Sequence, residues 1–182
     1  MNLSFKADSQ TLFRDNIRQI AAYVPGEQPQ GGKFIKLNTN ENPYPPSPKV
    51  IAAIQAAAAE GLQRYPDALG TAFRLRAADI LQVDPDWILC GNGSDDILTV
   101  LTRAFVGPEQ RLRLPYPSYI LYRTLAELQA ASFEEVRFQD DFSLGEEFGR
   151  QSEGLRLAFL PNPNSPSGTM LPSKRLLEFA EH

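Results

Sequence analysis

The sequence predicts an α/β domain with a mostly parallel sheet and flanking helices, preceded by an irregular N-terminal arm. Three observations predict it. From Trp87 onward, short apolar runs alternate with stretches of helical periodicity. Each run then opens into a loop rich in Gly, Pro, Asn or Ser: Gly91–Ser94, Pro115–Ser118 and Pro161–Gly168. The chain of 182 residues is 42% hydrophobic and 22% charged, an ordinary globular balance with enough length for one real core.

The arm is expected over residues 1–46, and the α/β domain over 47–182. Leu12, Ile17 and Ile20 suggest a short helix around Asp15 to Tyr23. Pro25 to Gly32 is too rich in Pro, Gly and Gln for regular structure, and Phe34–Leu37 reads as a short strand. Asn38 to Pro46 is a polar, proline-stiffened loop. Ser47-Pro48 is a helix start, a capping hydroxyl followed by proline at the first helical position. Ile51, Ile54 and Ala58 give that helix its face, and Gly61 ends it. Thr71 is expected to cap a second helix with Phe73, Ala77, Ile80 and Leu81 on one side.

Trp87–Cys90 then reads as a short buried strand, and Asp95 to Phe105 as a helix with Ile97, Leu98, Leu101, Ala104 and Phe105 facing inward. Gly107-Pro108 breaks it. A strand over 110–114, a helix over 119–129, a strand over 133–138 and a strand over 155–160 follow. Between the last two, 140–154 is a polar loop with a helical turn. A final helix begins near Ser173 and is expected to be still running at His182.

Several function classes are excluded early. Lys plus Arg number 18 against 22 Asp plus Glu, a net charge of −4, and no basic run points to nucleic acid. The one cysteine, Cys90, excludes an internal disulfide framework and cysteine-based zinc sites, and reads as a buried strand residue. The one histidine, His182, excludes a histidine-dependent triad. No apolar run approaches the roughly 18 residues of a membrane helix, and Met1 to Asp8 has no signal-like apolar core. The expected compartment is the cytoplasm, and no metal site is expected.

In open α/β sheets, ligands sit at the carboxyl ends of strands, where these three loops lie. Gly91-Asn92-Gly93-Ser94-Asp95-Asp96 joins a strand to a helix, so backbone N–H groups and a partial positive charge face one point. That suits a phosphate, although Ser94 or Asp95 could simply cap the helix; no Gly-Lys-Ser/Thr follows, so this is not a Walker loop. Tyr119 could lie flat on an aromatic ligand or serve as packing. Asn40, Glu41 and Asn42 fit turn chemistry as well as a ligand, and Tyr65 before Pro66 fits loop packing as well as a site.

Taken together, Leu37-Asn38-Thr39-Asn40-Glu41-Asn42-Pro43, Arg64-Tyr65-Pro66-Asp67, Gly91 to Asp96, Pro115-Tyr116-Pro117-Ser118-Tyr119 and Asn162-Pro163-Asn164-Ser165-Pro166-Ser167-Gly168 occur in one order. Over about residues 20–182 the chain resembles the N-terminal half of the histidinol-phosphate aminotransferases, fold-type I transaminases that use pyridoxal 5'-phosphate (PLP). The resemblance implies part of the large domain of that fold. It implies that backbone amides of Ser94, Asp95 and Asp96 hold the cofactor phosphate and that Tyr119 stacks on the pyridine ring. Asn164 or Ser165 would stand near the ring's phenolic oxygen; Ser165 occupies the place where many aminotransferases carry asparagine. Tyr65 would reach across a homodimer toward the neighbour's phosphate, and Tyr23 and Asn40 would line the substrate side. The implied substrates are histidinol phosphate with 2-oxoglutarate, and glutamate as product.

Two features depart from the family pattern. Arg111 and Arg113 stand in a strand that is usually more apolar. The lysine such an enzyme needs, the carboxylate for the pyridine nitrogen and the substrate arginine come from segments downstream of the Asn-Pro loop in the family, and none is present here. Lys174 follows a serine but belongs to a helix start. The family's sheet sets the first strand apart from the next three, so at about 4.8 Å per strand it would sit roughly 19 Å from its nearest partner. The chain alone is therefore expected to be neither stable nor active. The alternatives are a threonine-phosphate decarboxylase or an aromatic aminotransferase, and a non-catalytic remnant or one half of a split enzyme.

Overall fold

A computed structural model of the chain describes residues 12–21, 31 and 35–181. Tyr23, Phe34 and His182, named above, lie outside the described residues. The described residues fall into two compact units, one drawn from Met1–Ile20 and Gly91–His182, the other from Ala21–Cys90. The boundaries between these units fall at 20/21 and 90/91.

The first unit carries the sheet. Strands β1 (Arg111–Tyr116), β2 (Ser132–Arg137) and β3 (Leu155–Ala158) are parallel, in the order β2-β1-β3. β1 is the central strand because its side chains find cover on both faces. Leu112 and Leu114 point into one core with Tyr122, Leu125, Ala126 and Phe159. Helix α4 (Ser94–Phe105) adds Leu98 and Leu101 to that core, and helix α5 (Leu121–Leu128) connects β1 to β2 across it. On the other face Leu144, Phe148 and Leu171 form a second core, closed by Phe179 of helix α6 (Ser173–Ala180). The short helix α1 (Asp15–Gln19) meets the end of α5: Asn16 Nδ2 donates to the Glu127 carbonyl at 2.8 Å and Arg14 to that of Leu128 at 3.0 Å. They add to the closing turn of α5, where the Glu127 carbonyl also accepts from the Ala130 amide at 3.0 Å.

Arg113 and Arg111 receive their explanation here. Arg113 alternates with the two core leucines and so faces the other side of the sheet, where it is 4% exposed. Its guanidinium donates to Glu134 on the neighbouring strand at 2.7 and 3.0 Å, to the Phe148 carbonyl at 2.8 Å, to the Arg150 carbonyl and to Ser152 at 3.1 Å. The guanidinium fork thus supplies donors to two carbonyls at and just beyond the 3₁₀ turn Glu146–Phe148. Arg111 reaches the same carboxylate at 3.1 Å. Burial pushes the Glu134 carboxyl up, but hydrogen bonds from Arg113, Ser152 and Arg111 outweigh it and hold the group below its ordinary value.

The second unit contains helices α2 (Pro48–Glu60) and α3 (Thr71–Leu81). Ser47 precedes α2 with proline at its first turn, as expected, although its hydroxyl makes no capping bond. The cap of α3 is Asp67 rather than Thr71: its carboxylate accepts from the Thr71 and Leu69 amides at 2.6 and 3.1 Å, with Gly70 turned left-handed between them. Arg74 fastens the following segment, donating to the Pro85 and Ile88 carbonyls at 2.7 and 2.9 Å and pairing with Asp86 at 2.9 Å.

Several expectations are corrected. Trp87–Cys90 is not a buried strand: Pro85–Trp87 is a 3₁₀ turn, Ile88 is extended, and 88–90 pair with no strand among the described residues. Trp87 is 82% exposed and Cys90 half-buried, its thiol 3.6 Å from the Leu69 carbonyl. Residues 35–37 likewise join no ladder. An extended run becomes a strand only with a partner for its backbone groups. Phe73, Ile80 and Leu81 lie exposed, and Ala78 is the buried residue of α3. Ala104 and Phe105 of α4 are also exposed. Helix α6 ends at Ala180, where the Glu181 amide closes the last turn on Leu177.

Candidate functional site

The carboxyl ends of β1 and β3 and the amino end of α4 all belong to the first unit. Helix α4 begins at Ser94, one residue before the expected start. Gly93 precedes it with φ 91°, a conformation that favours glycine, and offers no side chain to cap the helix. A Cβ at Gly93 would meet nothing within 4 Å, so open space lies above the first turn. Gly91 has the opposite reason to be glycine: a Cβ there would come within 2.8 Å of the Asp96 carboxylate and 2.9 Å of Ile97.

The two acidic residues of the first turn point to partners of their own. Asp96 accepts from the Asn92 amide at 3.0 Å, which folds the loop back on the helix. Asp95 accepts from the Tyr119 hydroxyl at 3.2 Å. Tyr119 packs against the core and meets Tyr122 edge-on, ring centroids 5.7 Å apart. Burial, then the Asp95 charge, raises the Tyr122 phenol above its ordinary value, so it stays protonated.

The loop after β3 is fixed by its own asparagines. Asn162 accepts from the Leu171 amide at 2.7 Å and donates to the Leu171 carbonyl at 3.1 Å, in the manner of a strand pair. Asn164 is buried and bonds Ser118 and Pro117 of the β1 loop as well as Ser167 of its own. The structure thus brings Ser94, Asp95, Asp96 and Tyr119 together and ties Asn164 to the residues just before Tyr119. Ser118 and Ser167 lie in the quoted motifs but were given no role there; each directly follows a proline, which was the available signal.

Tyr65 and Asn40 belong to the second unit. Tyr65 is fully exposed there. Asn40 and Thr39 both have left-handed backbone, φ 51° and 64°, which makes a tight turn before Glu41. Glu41 pairs with Lys36, and that hydrogen bond, ahead of a small opposing desolvation, lowers its pKa. Lys174 is exposed at the start of α6, 4.0 Å from Glu178. Among the described residues, no cluster of three metal-ligating side chains occurs, and no helix is long and apolar enough to cross a membrane.

Comparison with known proteins places this geometry in context. Residues 32–182 match the family model for aminotransferase class I and II. The chain is 56% identical over 169 residues to a histidinol-phosphate aminotransferase of Rhodopirellula baltica, covering 92% of this chain and 47% of that protein. It is 46% identical to histidinol-phosphate aminotransferase 1 of Trichormus variabilis, with 92% and 48% covered. The chain spans about half the length of the curated relatives it matches. Among solved structures, histidinol-phosphate aminotransferase from Sinorhizobium meliloti in complex with pyridoxal-5'-phosphate superposes with a TM-score of 0.71 at 26% identity, over 79% of this chain and 39% of that one. Cystalysin from Treponema denticola, at 13% identity and TM-score 0.71, shares the fold.

Proposed function

Because the chain belongs to the class I and II aminotransferases, we propose that it forms the phosphate-loop half of a PLP-dependent transaminase that acts on histidinol phosphate with 2-oxoglutarate in histidine biosynthesis. The observation that carries the reading is the uncapped amino end of α4, with Tyr119 hydrogen-bonded to its first turn, in a chain 56% identical to a histidinol-phosphate aminotransferase.

The residues present fit the cofactor. The Ser94, Asp95 and Asp96 amides would hold its phosphate, with the helix dipole adding to their attraction. Open space beside Gly93 suits an anion, and the Asp95 and Asp96 carboxylates are engaged by the Tyr119 hydroxyl and the Asn92 amide. Tyr119 would cover one face of the pyridine ring and exclude water from it. Bound there, PLP supplies an electron sink for the carbon that carries the amino group. In this reading a lysine that would move the proton is not assigned among these residues. Tyr65 would contact the phosphate across a cytoplasmic homodimer, with Tyr23 and Asn40 on the substrate side.

The test is an assay of the full-length protein for glutamate formation from histidinol phosphate and 2-oxoglutarate. Turnover is the expected result. No turnover of histidinol phosphate, with decarboxylation of threonine phosphate or transamination of aromatic amino acids instead, moves the protein to another branch of the family.

A further inference from the structure

One side chain joins the loops that leave β1 and β3. Asn164 is 4% exposed. Its Nδ2 donates to the Pro117 carbonyl at 3.1 Å and to the Ser167 hydroxyl at 2.9 Å. Its Oδ1 accepts from the Ser118 hydroxyl at 2.9 Å. A side-chain amide has two N–H protons, and both are used. Asn164 could donate to a ligand only by abandoning a buried carbonyl or hydroxyl, which is unfavourable. Its contacts lead instead to Tyr119, which follows Ser118 and donates to Asp95 in the first turn of α4 at 3.2 Å.

We infer that Asn164 is a positioning residue: it clasps the Pro117–Ser118 loop to the β3 loop and thereby holds Tyr119 against the first turn of α4, without touching the cofactor. This rests on the PLP reading given above. It replaces the cofactor contact expected for Asn164 by an indirect role, and it makes Ser118 a member of the same device.

The experiment is a double-mutant cycle on the full-length protein, with PLP titrated into the cofactor-free form. Asn164→Ala weakens PLP binding about tenfold and Ser118→Ala about threefold, as expected for lost buried hydrogen bonds. In a Tyr119→Ala background the same Asn164→Ala change costs less than about twofold, because its effect runs through Tyr119. The visible circular dichroism of the bound cofactor, which reports ring orientation, falls alike in Asn164→Ala and Tyr119→Ala. The pH midpoint of the cofactor's absorption stays in place in Asn164→Ala. Equal weakening in both backgrounds, or a displaced absorption midpoint, overturns the inference. Should Asn164→Ala fail to fold, Ser118→Ala runs through the same cycle, its threefold loss expected to vanish in the Tyr119→Ala background. Failure of the unaltered protein to bind PLP overturns the site reading and the inference together, whereas binding without coupling overturns the inference alone.

Discussion

Arg113 and Arg74 do the same job in the two units, and the difference between them is instructive. Each donates several hydrogen bonds to carbonyls of an irregular segment and pairs with one carboxylate. Arg113 does so against two closed cores, with its side chain 5% exposed, and Arg74 in a unit whose α2 and α3 leave Ile54, Phe73 and Ile80 in solvent. A guanidinium holds a segment strongly only where water cannot compete for the same carbonyls. Among the described residues, the sheet-bearing unit therefore concentrates the buried core, and the helical unit keeps its local structure without a comparable one.

The comparison can be broken first at its center. Leu112→Ala removes the most buried leucine of β1 and is expected to destabilise the full-length protein by about 4 kcal/mol in urea unfolding followed by far-UV circular dichroism. A loss under about 1 kcal/mol would mean the core is not where packing places it. Next in size, Arg113→Ala should cost about 3 kcal/mol, at the lower end for breaking a buried pair because Glu134 keeps some solvent contact. Arg74→Ala, at a wetter site, should cost about 1 kcal/mol. Equal losses for the two arginines would dissolve the distinction between the units.

Acid offers a smaller and more selective probe. The Glu134 carboxyl lies below its ordinary value in the folded chain, so it binds fewer protons there than when unfolded. Its stabilisation is fully present above the ordinary carboxylate value of about 4.5 and is lost as pH falls through the lowered folded value. Glu134→Gln should flatten the fall of stability below about pH 4.5, measured as urea midpoints along a pH series. An unchanged slope would remove Glu134 from the account. The smallest effect expected is spectroscopic: the emission of Trp87, 82% exposed and isolated by difference from Trp87→Phe, should shift very little on urea unfolding of the full-length protein. A large red shift would show that its surroundings are closed.

Much of this was legible in the sequence, and unevenly. β1, β2, β3, α4 and α5 follow from apolar runs and helical periodicity, because their partners are elements of the same stretch of chain. Trp87–Cys90 has the same apolar signature but acquires no ladder, since pairing depends on a second strand that local pattern cannot reveal. Asp67 escaped notice as the cap of α3 because it stands four residues before Thr71, across a left-handed glycine. The Gly91–Asp96 loop and Tyr119 were marked by residue type alone. The bonds of Asn164 were not, since Pro117 and Ser118 lie 47 and 46 residues away. Arg113 looked out of place in an apolar strand until the carbonyls it serves, 35 and 37 residues on, were seen beneath the same face.

Those carbonyls also decide how freely the connection from β2 to β3 can vary in length. Phe148, Arg150 and Ser152 are held at intervals of two residues, the first two by Arg113 and the third by both Arg113 and Glu134. One residue added within that stretch would put at least one of these anchors out of register with Arg113. The exposed tip at Asp140–Asp141 has no such calibration: its turn is closed locally, the Gln139 amide bonding the Ser143 carbonyl at 3.0 Å. Insertions and deletions are thus admissible at one end of the connection and forbidden at the other, and a single arginine draws the line.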